Sequence, residues 1–96
     1  MEVSVNNIRE TVGQVAPEYD IKKISLFGSY AKGTQNKDSD IDLLVEFTEP
    51  AVSLFKLVAL KLKLQEIIGK DVDVIHSPIP PNALIDIEEE VLLYER

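Results

Sequence analysis

Cysteine and tryptophan are missing from this chain, and histidine occurs once, as His76. Without cysteine there is no disulfide framework and no thiolate chemistry, and a zinc site is left with almost no soft ligands. Basic residues are also few, 10 against 17 acidic, which leaves a formal charge of −7. A protein that grips nucleic acid through its backbone needs the opposite balance, so non-specific nucleic-acid binding is not expected. No apolar run approaches the ~20 residues that cross a bilayer. The opening MEVSVNNIRE has neither the basic start nor the apolar stretch of a secretory leader. These absences lead to the expectation of a cytoplasmic protein with no membrane partner. What is present is ordinary globular composition, 45% hydrophobic and 28% charged over 96 residues, so the expectation is a single domain spanning 1–96. A nucleoside triphosphate stays open as a ligand despite the acidity, because divalent cations bridge carboxylates and phosphates.

There is no internal repeat, low-complexity tract or linker. Val5, Ile8, Val12 and Val15 recur at helical spacing, which predicts a helix over 4–16 that Gly13 weakens and Pro17 closes. Residues 22–27 read as a strand that stops at Gly28-Ser29, with a short helix in SYAKG and then a polar loop. The run 40–47 alternates: Ile41, Leu43, Val45 and Phe47 take one face, and Asp40, Asp42, Leu44 and Glu46 the other. A long helix follows over 53–68, with Leu57, Leu60, Leu64 and Ile67 or Ile68 as its buried stripe, Ser53 as N-cap and Gly69 just past its end. Residues 71–76 alternate again, Val72 and Val74 opposite Asp71 and Asp73. Prolines at 78, 80 and 81 end that strand. Asn82 is expected to start a last helix with Leu84, Ile87, Val91 and Tyr94 inside and Glu88, Glu89, Glu90 and Glu95 outside.

Two strands joined by a long helix suit a parallel, right-handed crossover. Asp40, Asp42 and Asp73 then start at one end of the sheet. The strand before Gly28 must run antiparallel to the other two if Gly28-Ser29 is to meet them. The predicted fold class is α/β (α+β): a small mixed sheet with helices mainly on one face.

Taken singly, these signals are weak. Asp-x-Asp at a strand start is usually solvated, and Gly-Ser is usually a turn. Together, Phe27-Gly28-Ser29, ten residues, then Asp40-Ile41-Asp42-Leu43 resembles the signature of the polymerase β-like nucleotidyltransferase superfamily. The longer string GSYAKGTQNKDSDIDLLVEF, with the later DVDVI strand, resembles the minimal nucleotidyltransferases, whose members include the antitoxins of HEPN–MNT pairs. The resemblance implies transfer of AMP from ATP to a hydroxyl, specifically a tyrosine of a partner HEPN-domain toxin, in a possible hetero-oligomer. It implies Asp40, Asp42 and Asp73 as metal ligands and catalytic acids for two Mg²⁺ ions, and Gly28, Ser29 and Lys32 as nucleotide contacts.

The chemistry fits those residue types. Two Mg²⁺ ions clamp the attacking and leaving oxygens of a phosphoryl-type transfer, and aspartates on rigid strands supply hard oxygen ligands. Asp73 is placed to take the acceptor's proton. Gly28 lets backbone approach the triphosphate, and Ser29 offers its hydroxyl and a helix-start N–H to phosphate. Lys32 stands where the family usually has arginine, so it is either a point-charge phosphate contact or a solvated lysine. Asp38 and Asp71 read as outer acids, His76 as a structural histidine, Tyr30 as packing, and Glu88–Glu90 as a solvated face. The chain has no room for a separate acceptor domain, which points to a protein partner. The rival expectations are an antitoxin that neutralises by contact alone, and transfer to a small-molecule hydroxyl.

Overall fold

The computed structural model describes residues 4–36, 38–49, 52–76 and 90–96. The first helix, α1 (Val5–Val15), begins where the sequence demands it. The Ser4 hydroxyl accepts the Asn7 N–H at 3.1 Å, and Asn7 Oδ1 accepts the Ser4 N–H at 3.2 Å, so two of the free donors at the helix start are satisfied. Pro17 does end α1, but a 3₁₀ turn (Ala16–Tyr19) continues the chain before it leaves through Asp20, at φ 54.

Strand β1 (Ile21–Phe27) follows, then the one-turn helix α2 (Ser29–Lys32) and strand β2 (Ile41–Phe47). Helix α3 (Leu54–Ile68) starts at Ser53, whose hydroxyl accepts the Lys56 N–H at 3.2 Å, and stops at Gly69, at φ 80. That positive φ is the usual reason for glycine just past a helix end. Strand β3 (Val72–His76) completes the expected set.

The sheet order is β3-β2-β1-β4. The β2–β3 pair is parallel and bridged by α3, while β1 is antiparallel to β2, as the sequence predicts. The alternation in β2 is realised residue by residue: Ile41, Leu43, Val45 and Phe47 are buried and the intervening residues are partly open. Helices α1 and α3 cover that apolar face, with Ile8, Val12, Leu60 and Leu64 fully buried against Ile24, Leu26, Leu43 and Val72. Ile68, rather than Ile67, joins the α3 stripe; Ile67 is exposed. His76 packs edge-on against Phe47, ring centroids 5.5 Å apart, and Tyr30 is buried in the core.

The last element departs from expectation. Residues 91–95 form a strand, β4 (Val91–Glu95), antiparallel to the far edge of β1, instead of the end of a helix. The segment 77–89, where that helix was to begin, lies outside the described residues, with Leu84, Ile87, Glu88 and Glu89. The misleading signal has a physical cause. The β4 register shifts at Leu93, which adds an unpaired residue and is buried. Val91 and Tyr94, three apart, therefore both reach the core side, a spacing that imitates a helix. The same device operates in β1, where an irregularity between Ile21 and Lys23 buries both Ile21 and Ile24.

The two faces of α3 give a direct check. Leu64→Ala should destabilise the chain by ~2–5 kcal/mol by leaving a core cavity, whereas exposed Leu62→Ala should stay within about 0.5 kcal/mol of the unaltered protein. Urea denaturation of the two variants measures both.

Candidate active site

The open face of the sheet carries the acidic residues. In the parallel β2–β3 register Asp42 lies directly beside Asp73. Side chains at paired positions of neighbouring strands share a face, so the two carboxyls meet. Asp40, two residues before Asp42, is just outside the strand and exposed. Its loop is braced: the Asn36 N–H donates to Ser39 Oγ at 2.9 Å, the Asp38 N–H to Asn36 Oδ1 at 2.8 Å, and the Ser39 N–H to the Asn36 carbonyl at 3.1 Å. The Ile41 N–H then donates to the Asp71 carbonyl at 3.0 Å, locking the start of β2 to the start of β3.

The electrostatic signature of this crowding falls on Asp42. Burial raises its carboxyl above the ordinary carboxylate range. The charges of Asp73 and then Asp40, and a carboxyl–carboxyl hydrogen bond to Asp73, push the same way. All three acids thus act on one point.

Gly28 closes the site from β1. It sits opposite the start of β2, where Phe27 pairs with Asp42, and adopts φ 75 with ψ −153. A Cβ at position 28 would collide with the Asp42 carboxylate. Glycine is therefore required twice, for the backbone conformation and for the contact. Ser29 opens α2 immediately after it, half-buried, and Gly33 at φ 75 ends that turn. Lys32, the last residue of α2, is solvent-exposed.

The sequence treated Asp38 and Asp71 as outer acids; both line a cleft of about 590 Å³ that also takes in Ser39 and Asp40. Gln65, Gly69 and Lys70 form its other wall, and sequence reasoning gave none of the three a place near the site. Gln65 Oε1 accepts the Val72 N–H at 3.1 Å and so fixes the strand start that carries Asp73. No local signal marked it, since the tertiary crossover alone brings the end of α3 to this cleft.

Do these residues fit divalent metal? Among the described residues no three side chains are gathered into a finished cage. The acids stand instead as the Asp42–Asp73 pair with Asp40 beside it. Mg²⁺ is characteristically held in this way, by one or two carboxylates, with water and substrate phosphate oxygens filling its octahedron. A half-buried carboxylate raised by two like charges also calls for a cation. The donor set fits.

Comparison with known proteins agrees with this geometry. The family model described as nucleotidyltransferase domain matches residues 5–94. A relative in Methanocaldococcus jannaschii, provisionally named a protein adenylyltransferase, is 44% identical over 73 residues, covering 76% of this chain and 77% of the relative. The fold superposes on a toxin–antitoxin crystal structure with AMP-PNP at a TM-score of 0.77, with 24% identity, 92% of this chain and 73% of that one covered. It also superposes on a complex of a tri-AMPylated Shewanella oneidensis HEPN toxin with an MNT antitoxin, at a TM-score of 0.71, with 19% identity, 95% of this chain and 72% of that one covered.

Two measurements probe the site without assaying turnover. Asp42 has a folded-state pKa above its unfolded one, so its ionisation costs the folded state stability at neutral pH, and that cost is relieved as pH falls through the folded value. Asp42→Asn should therefore raise the melting temperature of the metal-free chain at pH 7, with the gain shrinking on acidification. Adding Mg²⁺ should raise the melting temperature of the unaltered chain more than that of the variant. Gly28→Ala should lose at least ~1–2 kcal/mol from its left-handed backbone alone, read by thermal denaturation.

Proposed function

This chain belongs to the nucleotidyltransferase domain family, and from that premise we propose that it moves AMP from ATP onto a hydroxyl of a partner protein. The partner we infer is a HEPN-domain toxin and the acceptor one of its tyrosines, which makes the chain an antitoxin that acts by adenylylation. The observation that carries the reading is the junction of Gly28, Asp42 and Asp73: a backbone segment free of Cβ set against a carboxylate that is paired with a second one. The protein-adenylyltransferase name of the Methanocaldococcus jannaschii relative supports the donor and the acceptor class.

In this reading the acceptor oxygen attacks the α-phosphorus, and the bond from that phosphorus to the pyrophosphate oxygen breaks. Asp73, exposed at the edge strand, takes the proton of the attacking hydroxyl. Asp40 and Asp42, together with Asp73, would hold two Mg²⁺ ions, which would supply charge neutralisation for the transfer. Gly28 lets the triphosphate lie against backbone, and the Ser29 hydroxyl donates to a phosphate oxygen. Lys32, on the turn that begins at Ser29, adds a point charge for the pyrophosphate.

The experiment uses α-³²P-labelled ATP, Mg²⁺ and the HEPN-domain protein. Label should appear on the partner, and Asp42→Asn should reduce transfer by ~10³-fold or more, as expected when a group stabilising the transition state is removed. If the Asp40→Asn, Asp42→Asn double variant folds, binds and neutralises its partner as well as the unaltered chain, neutralisation works by contact alone and the adenylylation reading fails.

A further inference from the structure

Helix α3 is apolar on two sides, and among the described residues the fold covers only one. Leu60 and Leu64 are fully buried against the sheet, with Leu57 and Ile68 beside them. On the opposite side Leu54 is 77% exposed, Phe55 88%, Val58 52% and Leu62 57%. At ~100° per residue these four side chains fall within one arc of about 100°, so they form a stripe along two turns and more. Single exposed hydrophobics are ordinary on a soluble protein. Four on one stripe are not, and a helix apolar around its circumference is normally buried on both sides.

The border of the stripe carries two lysines against one acid. Lys61 and Lys63 flank Leu62, while Gln65 and Glu66 close its far end. Lys56 is engaged elsewhere: its Nζ lies 3.3 Å from Asp20 Oδ2 and 5.6 Å from the centre of the Phe47 ring. The helix holds three lysines against one glutamate within a chain whose net charge is −7. Its outer face is thus a local reversal of the molecule's overall sign.

We propose that this face of α3 docks a partner protein offering an apolar ridge edged by carboxylates. The inference rests on the reading that the chain acts on a partner protein, and adds where that partner sits. Charge decides between the possible occupants. Pairing of this face with a second copy would bring together two chains that each carry a formal charge of −7. An anionic membrane would attract the two lysines but would be repelled by the rest of the acidic chain. A carboxylate-edged protein surface meets neither objection and gains from the lysine border. Position favours it too. The α3 stripe is on the helical side of the sheet, away from the carboxylate face, and the C-terminal end of α3 forms a wall of the Asp40 cleft through Gln65. A partner seated there leaves the acidic face open while bringing its own chain close to it.

The test measures binding of the full chain to the HEPN-domain protein by calorimetry. The Phe55→Ser, Leu62→Ser double variant should bind at least ~10-fold more weakly, as expected for removal of anchoring apolar side chains. Its melting temperature should be unchanged. Lys61→Glu with Lys63→Glu should also weaken binding and flatten its salt dependence. Asp40→Asn with Asp42→Asn should bind as the unaltered chain does, which separates docking from transfer: absence of transfer by the unaltered chain, with retained stripe-dependent binding, supports the docking face and refutes only the activity. Equal affinity of the stripe variant and the unaltered chain overturns the proposal, even where label transfer succeeds. Failure of the unaltered chain to bind overturns it together with the choice of partner. Sedimentation that reveals self-pairing, or flotation with phosphatidylserine vesicles, abolished in either case by the stripe variant, assigns the face to another occupant and likewise overturns it.

Discussion

The pairing of β2 with β3 governs everything else in this molecule. Parallel neighbours with residues in register show their side chains on one face, and here the residues in register are two aspartates. The arrangement is electrostatically unfavourable, and the raised Asp42 carboxyl records this. Its persistence depends on the crossover: α3 enters at the Ser53 cap, leaves at Gly69, and uses Gln65 to fix the first amide of β3. The apolar face of the sheet anchors the strands firmly enough to hold like charges together on the other face. Core packing on one side and charge crowding on the other are consequences of the same period-two alternation.

β1 supplies the remaining requirement. Because it runs against β2, its last residues arrive where β2 begins, and Gly28 meets Asp42. β1 is also flanked on its other side by β4, so the strand that delivers the glycine is held from both edges. The small sheet therefore fixes its site through its most central strands, with only Asp73 on an edge strand and Asp40 on a braced loop. A rigid sheet is well suited to holding acids whose spacing must survive their own repulsion.

Much of this was legible in the residues. Strict alternation in 40–47 and 71–76, a capped apolar helix between them, and a glycine stop after Phe27 were enough to place the three acids and the antiparallel strand. The final strand was not legible, because the buried extra residue Leu93 turns a period of two into a spacing of three, which reads as helical. Neither was the cleft wall: Gln65 and Lys70 come near Asp40 only through the tertiary crossover, and no local pattern encodes that. The outer face of α3 lay between these cases. Its leucines and phenylalanine were visible, but periodicity shows which residues share a side of a helix, not which of two apolar sides the core will take.

The closeness of Gly28 to Asp42 has a stereochemical result. One oxygen of that carboxylate lies against the Gly28 main chain, while Asp73 stands beside it on the neighbouring strand. A bulkier residue at position 28 would displace this carboxylate before it touched any ligand.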